Sequence, residues 1–180
     1  MSNPGACSPA ISEPAISEAA ELHERDFHAW TQDQAARLRA WPEALRPNAL
    51  DIASLAEEIE SMGRSQRGAA QSLVQQIILH LPKLRGHPAQ EYQRRWQKEI
   101  DSLRDQIGVI FEENPSLRVR RAEIAATVWA RALRIFQRDL RRDGLDPRPA
   151  LAWLAEPEEA CFDLDAEVLA EDWFPPPPGA

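Results

Sequence analysis

Residues 52–84 read IASLAEEIESMGRSQRGAAQSLVQQIILHLPKL. At helical spacing, Ile52, Leu55, Ile59, Met62, Gly63, Ala70, Leu73, Val74, Ile77, Leu81 and Leu84 fall on one face, and the stripe stays in phase through Gly63. Asp51 stands in front of it as a natural N-cap. One helix of about 30 residues is therefore expected, not two shorter ones. Pro82 removes a backbone hydrogen bond and crowds the carbonyl of Ile78, so a kink or the helix end is expected there.

The flanking segments read the same way. Between residues 21 and 146 prolines fall only at 42, 47, 82, 88 and 115, and each interval has helical periodicity and length. The first helix is expected from Ser17 or Glu21 to Ala40, with an apolar stripe of Phe27, Trp30, Leu38 and Trp41 and Gln34 on the same line. The third spans Pro88 to Glu113, where Tyr92, Trp96, Ile100, Leu103, Ile107 and Ile110 recur as a heptad-like seam. The fourth spans 116–142, with a broad apolar face from Leu117 to Leu140 and Gly144 suited to the position past its end. The acidic segment that follows carries Leu151, Trp153, Leu154, Phe162, Leu164, Leu169, Trp173 and Phe174. It is too apolar for a free tail, and a short helix near Asp165–Glu171 is expected to dock on the bundle.

The expected fold is all-α, a four-helix bundle with a C-terminal segment wrapped on it. Pro4, Pro9 and Pro14 among small polar residues predict a disordered N-terminal tail over 1–20. Residues 21–174 form the single helical domain, and 175–180 a proline-rich tail of polyproline II character.

The chain has 180 residues, so its size fits one domain. No run of 18 apolar residues could span a membrane, and two cysteines, Cys7 and Cys161, are too few for a disulfide framework. The start lacks the pattern of a secretory signal, which makes the cytoplasm the expected location. Charge is segregated: residues 1–60 hold 11 acids and 4 bases, residues 61–145 hold 9 acids and 16 bases, and residues 146–180 hold 9 acids and 1 base. Either the acidic ends neutralise the basic middle, or the middle attracts an anionic partner.

Several short runs together resemble the bacterial family called domain of unknown function 29. They are Leu55–Ser65 (LAEEIESMGRS), Asp26–Trp30 (DFHAW), Leu79–Lys83 (LHLPK), Trp96 with Ile100, Asn114–Arg118 (NPSLR) and Asp172–Pro175 (DWFP). The likeness spans about residues 24 to 175. It implies a helical fold and a small bacterial protein, and it brings no activity with it. The family pattern has leucine where this chain has Pro82 and an aromatic residue where it has Leu84.

Two constellations are candidates for function. Glu58, Gln66 and His80 lie on or beside the core-facing line of the second helix, where an unpaired polar group costs about 1–3 kcal/mol. They are expected either to set helix register or to form a carboxylate–imidazole enzyme site, with a metal ligand from Asp26 or His28 and glutamates such as Glu99, Glu112 or Glu123 on facing helices. The register-setting reading is preferred, because no closely spaced histidine or Glu-x-x-His pair is present. Second, Arg120, Arg131, Arg134, Arg138 and Arg141 occupy one arc of the fourth helix opposite its apolar face, with Arg94, Arg95 and Lys98 adding bases on the third. The acidic segment after Asp146, anchored by Trp153, Phe162, Leu164, Leu169 and Trp173, is expected to lie over these arginines as a partial cover.

No glycine-rich phosphate loop, G-x-S-x-G or C-x-x-C occurs, and no cofactor or metal is expected. The sequence thus favours a small binding protein acting on a protein partner or by self-association. A nucleic-acid or polyanion binder using the arginine arc is the alternative, and an enzyme at Glu58 and His80 a further one.

Overall fold

The computed structural model describes residues 13–47, 49–87, 89–148 and 162–176. Among them all regular structure is helical. The elements are α1 (Glu13–Arg25), α2 (Phe27–Ala40), α3 (Ile52–Gly86), α4 (Gln93–Glu113), α5 (Pro115–Val119) and α6 (Arg121–Arg142), then one π-helical turn at Leu164–Val168.

The expected long helix forms as one 35-residue rod, unbroken at Gly63. The Asp51 carboxylate caps it, accepting from the Ser54 N–H at 3.1 Å and the Ser54 hydroxyl at 2.7 Å. Of the two outcomes expected at Pro82, the helix end is not found: the helix runs on to Gly86. The missing bond falls close to the final turn, and Pro82 itself is buried in the packing. The His87 N–H closes the end on the Lys83 carbonyl at 3.1 Å.

α3 is the common neighbour of α2, α4 and α6, but they divide its length. α2 lies on the N-terminal half, with Thr31 against Gly63 and Arg39 paired to Glu60. The C-terminal half holds the main core, where Ala70, Val74, Ile77, Ile78 and Leu81 meet Ile100, Leu103 and Ile107 of α4 and Ile124, Val128 and Trp129 of α6. The helices are therefore staggered along one spine and not aligned side by side over a shared length. One consequence is that Leu55 and Met62, placed in the core by periodicity, are 44 % and 48 % exposed. Among the described residues, α2 is the main cover on that half of α3, and it leaves Leu55 and Met62 uncovered.

The N-terminal region also departs from expectation. Helix is already present from Glu13, within the stretch read as tail, because Pro14 sits in the first turn where its missing N–H costs nothing. Residues 1–12 lie outside the described residues. The single first helix is two helices, broken at Asp26, whose extended φ of −154° stops α1 and starts α2. α2 buries His28, Thr31 and Ala35, not the aromatic stripe. Phe27 and Trp30 turn towards α1, where His23 meets both rings edge-on at 5.4 and 4.7 Å.

At the other end, Gly144 has a φ of +75°, and the Leu145 N–H reaches back to the Leu140 carbonyl at 2.9 Å. This is the left-handed stop expected after the last long helix. The expected short helix at 165–171 is only the π turn at Leu164–Val168, but it docks as anticipated. Phe162 and Val168 are buried, with Leu164, Leu169, Trp173 and Phe174 packed beside them. Leu151, Trp153, Leu154 and the tail from 177 lie outside the described residues. Pro175, assigned to the tail, is buried.

Gly63 shows how tightly α2 seats on the spine. A Cβ there would stand 2.2 Å from the Thr31 hydroxyl oxygen. Gly63→Ala should destabilise the fold by about 1–3 kcal/mol in urea denaturation. Thr31→Ala removes the clashing oxygen, so the double variant should lose clearly less than the sum of the two single changes. Simple additivity would show that the close approach does not constrain this position.

Candidate functional site

The polar line on α3 does not form one site. Glu58 is exposed, Gln66 is half-buried, and only His80, with its side chain 14 % exposed, is well inside. Glu58 and His80 are 22 residues apart on an unbroken helix, about 33 Å at 1.5 Å per residue. Glu58 and His80 therefore do not share one site. Asp26 and His28 are engaged elsewhere, and no group of three or more His, Cys, Asp or Glu residues suited to a metal occurs among the described residues.

His80 instead joins α3 to α4. Its Nδ1 lies 2.8 Å from the Gln76 carbonyl and its Nε2 3.1 Å from Glu99, which also accepts from Arg95 at 2.9 Å. Burial lowers the His80 pKa, and the two acceptors act in the opposite direction. A neutral ring can donate to only one of them, so both bonds are made only when His80 is charged. Of the candidate glutamates, Glu99 is thus a partner of His80, while Glu123 pairs with Arg120 at 2.9 Å.

The densest polar cluster lies where α2 meets the α4–α5 corner. It joins Asp26–Trp30 to Asn114–Arg118, 86 to 90 residues apart in sequence. Asp26 Oδ1 caps α2 by accepting the Ala29 N–H at 2.9 Å. It also accepts the Ser116 hydroxyl at 2.8 Å, and Oδ2 accepts the Ser116 N–H at 2.6 Å. Asn114 Oδ1 accepts the His28 N–H at 2.9 Å, while its amide donates to the Ile110 carbonyl at 2.9 Å. Asp26, His28 and Asn114 are all buried. Two side chains thus satisfy free backbone groups at the ends of three helices.

Serine, histidine and aspartate together invite a hydrolase reading, which proton placement counts against. The Ser116 hydroxyl gives its proton to Asp26, so at 3.1 Å His28 Nδ1 must donate to Ser116 Oγ. The imidazole does not act as a base towards the serine in this arrangement. Burial is the main reason the His28 pKa lies below its ordinary value; Arg120 and Arg67 add to the lowering and Asp26 opposes it.

A second buried device went unread in the sequence. Arg104 is 5 % exposed, and its hydrogen bonds to the C-terminal segment all go to backbone carbonyls. Nε donates to Val168 at 3.1 Å, Nη1 to Glu171 at 3.2 Å, and Nη2 to Glu167 at 2.8 Å and Trp173 at 2.9 Å. The Phe174 ring lies 5.2 Å from the guanidinium carbon. Only a planar fork with five N–H donors can serve carbonyls in so many directions. Its flank position beside Leu103 on the α4 seam was the available signal.

The five arginines of the arc, Arg120, Arg131, Arg134, Arg138 and Arg141, are all exposed. Arg120 pairs with Glu123, and Arg138 lies 3.6 Å from Asp139. The expected acidic cover is absent among the described residues: Asp165 instead makes a two-pronged pair with Arg121, at 2.6 and 2.7 Å, on another face of α6. Apolar docking sets the position of the segment, and it seats Asp165 beside Arg121. Separately, Trp41, Leu45, Leu50, Leu55 and Met62 stand exposed around the connection from α2 to α3.

An all-helical protein built on one long spine helix, with capped corners and no metal cluster among its described residues, is the class that fold and site define. The chain belongs to the family described as domain of unknown function DUF29, matched over residues 22–174. It is also similar to the crystal structure of an alpha-helical protein of unknown function from Rhodospirillum rubrum ATCC 11170. That likeness has a TM-score of 0.66 and 29 % sequence identity, over 84 % of this chain and 90 % of that one. Comparison with curated proteins gives no match. No helix among the described residues is long and apolar enough to cross a membrane.

The histidines give the fold a pH dependence of definite sign. His28, His80 and His87 all have pKa values lowered chiefly by burial. Below about pH 6.5 the unfolded chain takes up protons that the folded chain resists, so stability is full above that pH and falls as pH drops further. Tm should therefore hold above about pH 7 and decline from about pH 6.5 to 5.5. His28→Asn keeps an N–H donor for Ser116 and cannot titrate, so its Tm should decline less. An equal decline would exclude His28 as a contributor.

Proposed function

We propose that this is a cytoplasmic binding protein whose partner is another protein, docking on the end of the molecule where α2 turns into α3. The helical bundle, with its C-terminal wrap, is the scaffold that holds this end rigid. One observation carries the reading. Of eight large apolar side chains exposed among the described residues, five (Trp41, Leu45, Leu50, Leu55 and Met62) belong to this short stretch. Apolar anchors concentrated at one end of a monomer mark interaction surfaces, and aromatic anchors such as Trp41 dominate their energetics. The wide separation of Glu58 and His80 along one rod gives the enzyme alternative less support than the binding reading.

The reading is tested by capturing partners from the source bacterium with the full chain and with Leu45→Asp/Leu50→Asp/Met62→Asp, then measuring Kd for the purified partner. All three positions are exposed, so the variant should fold. The expected loss is at least about tenfold, or 1.4 kcal/mol. A partner that binds both proteins equally well would overturn the proposal.

A further inference from the structure

We propose that the arginine face of α6, together with the groove between α6 and α3, binds the phosphate backbone of single-stranded nucleic acid. This site is separate from the apolar end of the α2–α3 connection and does not depend on it. Among the described residues, Arg131, Arg134 and Arg141 have no carboxylate within ion-pair distance, while Arg120 and Arg138 have Glu123 and Asp139. At 1.5 Å per residue, Arg131 to Arg141 form a row about 15 Å long.

The chemistry of the face favours phosphate. α6 contains six arginines and no lysine. The guanidinium fork binds phosphate oxygens in a two-pronged way, which the ammonium point charge cannot. Beside Arg131, Gln71, Gln75 and Thr127 line a groove of about 250 Å³ with the small residues Gly68 and Ser72. The Gln71 amide donates to the Thr127 hydroxyl at 3.1 Å, and that hydroxyl donates to the Ile124 carbonyl at 2.7 Å. A Cβ at Gly68 would meet nothing within 4 Å, so a strand has space to lie along the groove. An acidic protein is the lesser fit. Between the arginines the arc carries Glu123 and Thr127 and no large apolar side chain, and protein interfaces need such an anchor.

The test uses the full chain and fluorescence anisotropy with a labelled 20-nucleotide oligo(dT), titrated between about 50 and 200 mM salt. Three engaged arginines give a slope of log K against log salt of about −2, so affinity should fall roughly 20-fold across that range. Arg131→Glu/Arg134→Glu should weaken binding at least about tenfold at the lowest salt. Arg25→Glu/Arg37→Glu, a double reversal of the same size at exposed positions on α1 and α2, should leave it within about threefold. Far-UV circular dichroism of each variant checks that the helices persist. Absence of binding at 50 mM salt would overturn the proposal, as would equal loss in the two variants. So would polyglutamate competing as well as unlabelled oligo(dT), which would assign the face to an acidic protein.

Discussion

A helix of 35 residues is about 52 Å long, and none of its neighbours, 14 to 22 residues each, can cover it. Everything else in the fold answers that mismatch. α2 covers the first half of α3, and α4 with α6 covers the second. The coverage changes hands near residue 67, and there Asp26, Asn114 and Ser116 bind α2 to the α4–α5 corner. Without such a joint, α2 and the start of α3 would be a two-helix arm attached to a three-helix core by the spine alone. Buried, fully partnered polar groups suit a joint of this kind, because their bonds are directional and each broken one leaves a desolvated group behind.

The same mismatch bears on function. Where α4, α6 and the C-terminal segment pack on α3, its apolar stripe is consumed by the core. Where α2 is its main cover among the described residues, Leu55 and Met62 are left exposed, as are Trp41, Leu45 and Leu50 in and beside the connection. The apolar end is thus a consequence of having a long spine and a short partner. The arginine face has a different origin: α6 packs through one broad apolar side and leaves the opposite side free to collect charge, which the docked C-terminal segment does not neutralise among the described residues.

Much of this was legible in the sequence, and the failures share one cause. Periodicity located α3, α4 and α6 because each repeats apolar residues over several turns, and Gly144 marked a stop with an unambiguous backbone requirement. Periodicity does not say which neighbour a face meets or how far that neighbour extends. Leu55 and Met62 are in phase with the core but beyond its reach, and Glu58 and His80 share a stripe yet stand some 33 Å apart. The break at Asp26 was hidden because a residue that caps one helix can be passed over as part of a longer one. The short runs DFHAW and NPSLR were visible, but their contact spans 86 to 90 residues of chain and needs the tertiary fold to appear. Arg104 stood beside the α4 seam, but its partners are backbone carbonyls, and these cannot be read from a pattern of side chains.

The Asp26–Ser116–Asn114 joint makes the two halves of the spine one cooperative unit. Native-state hydrogen exchange on Asp26→Ala, compared with the unsubstituted chain, reads that coupling amide by amide. In the variant, amides of α2 and of α3 before residue 67 should exchange through a separate, lower-energy opening, while Val74, Ile77 and Leu81 keep the protection of the C-terminal core. If both halves of α3 instead lose protection together and by the same amount, the joint does not couple them.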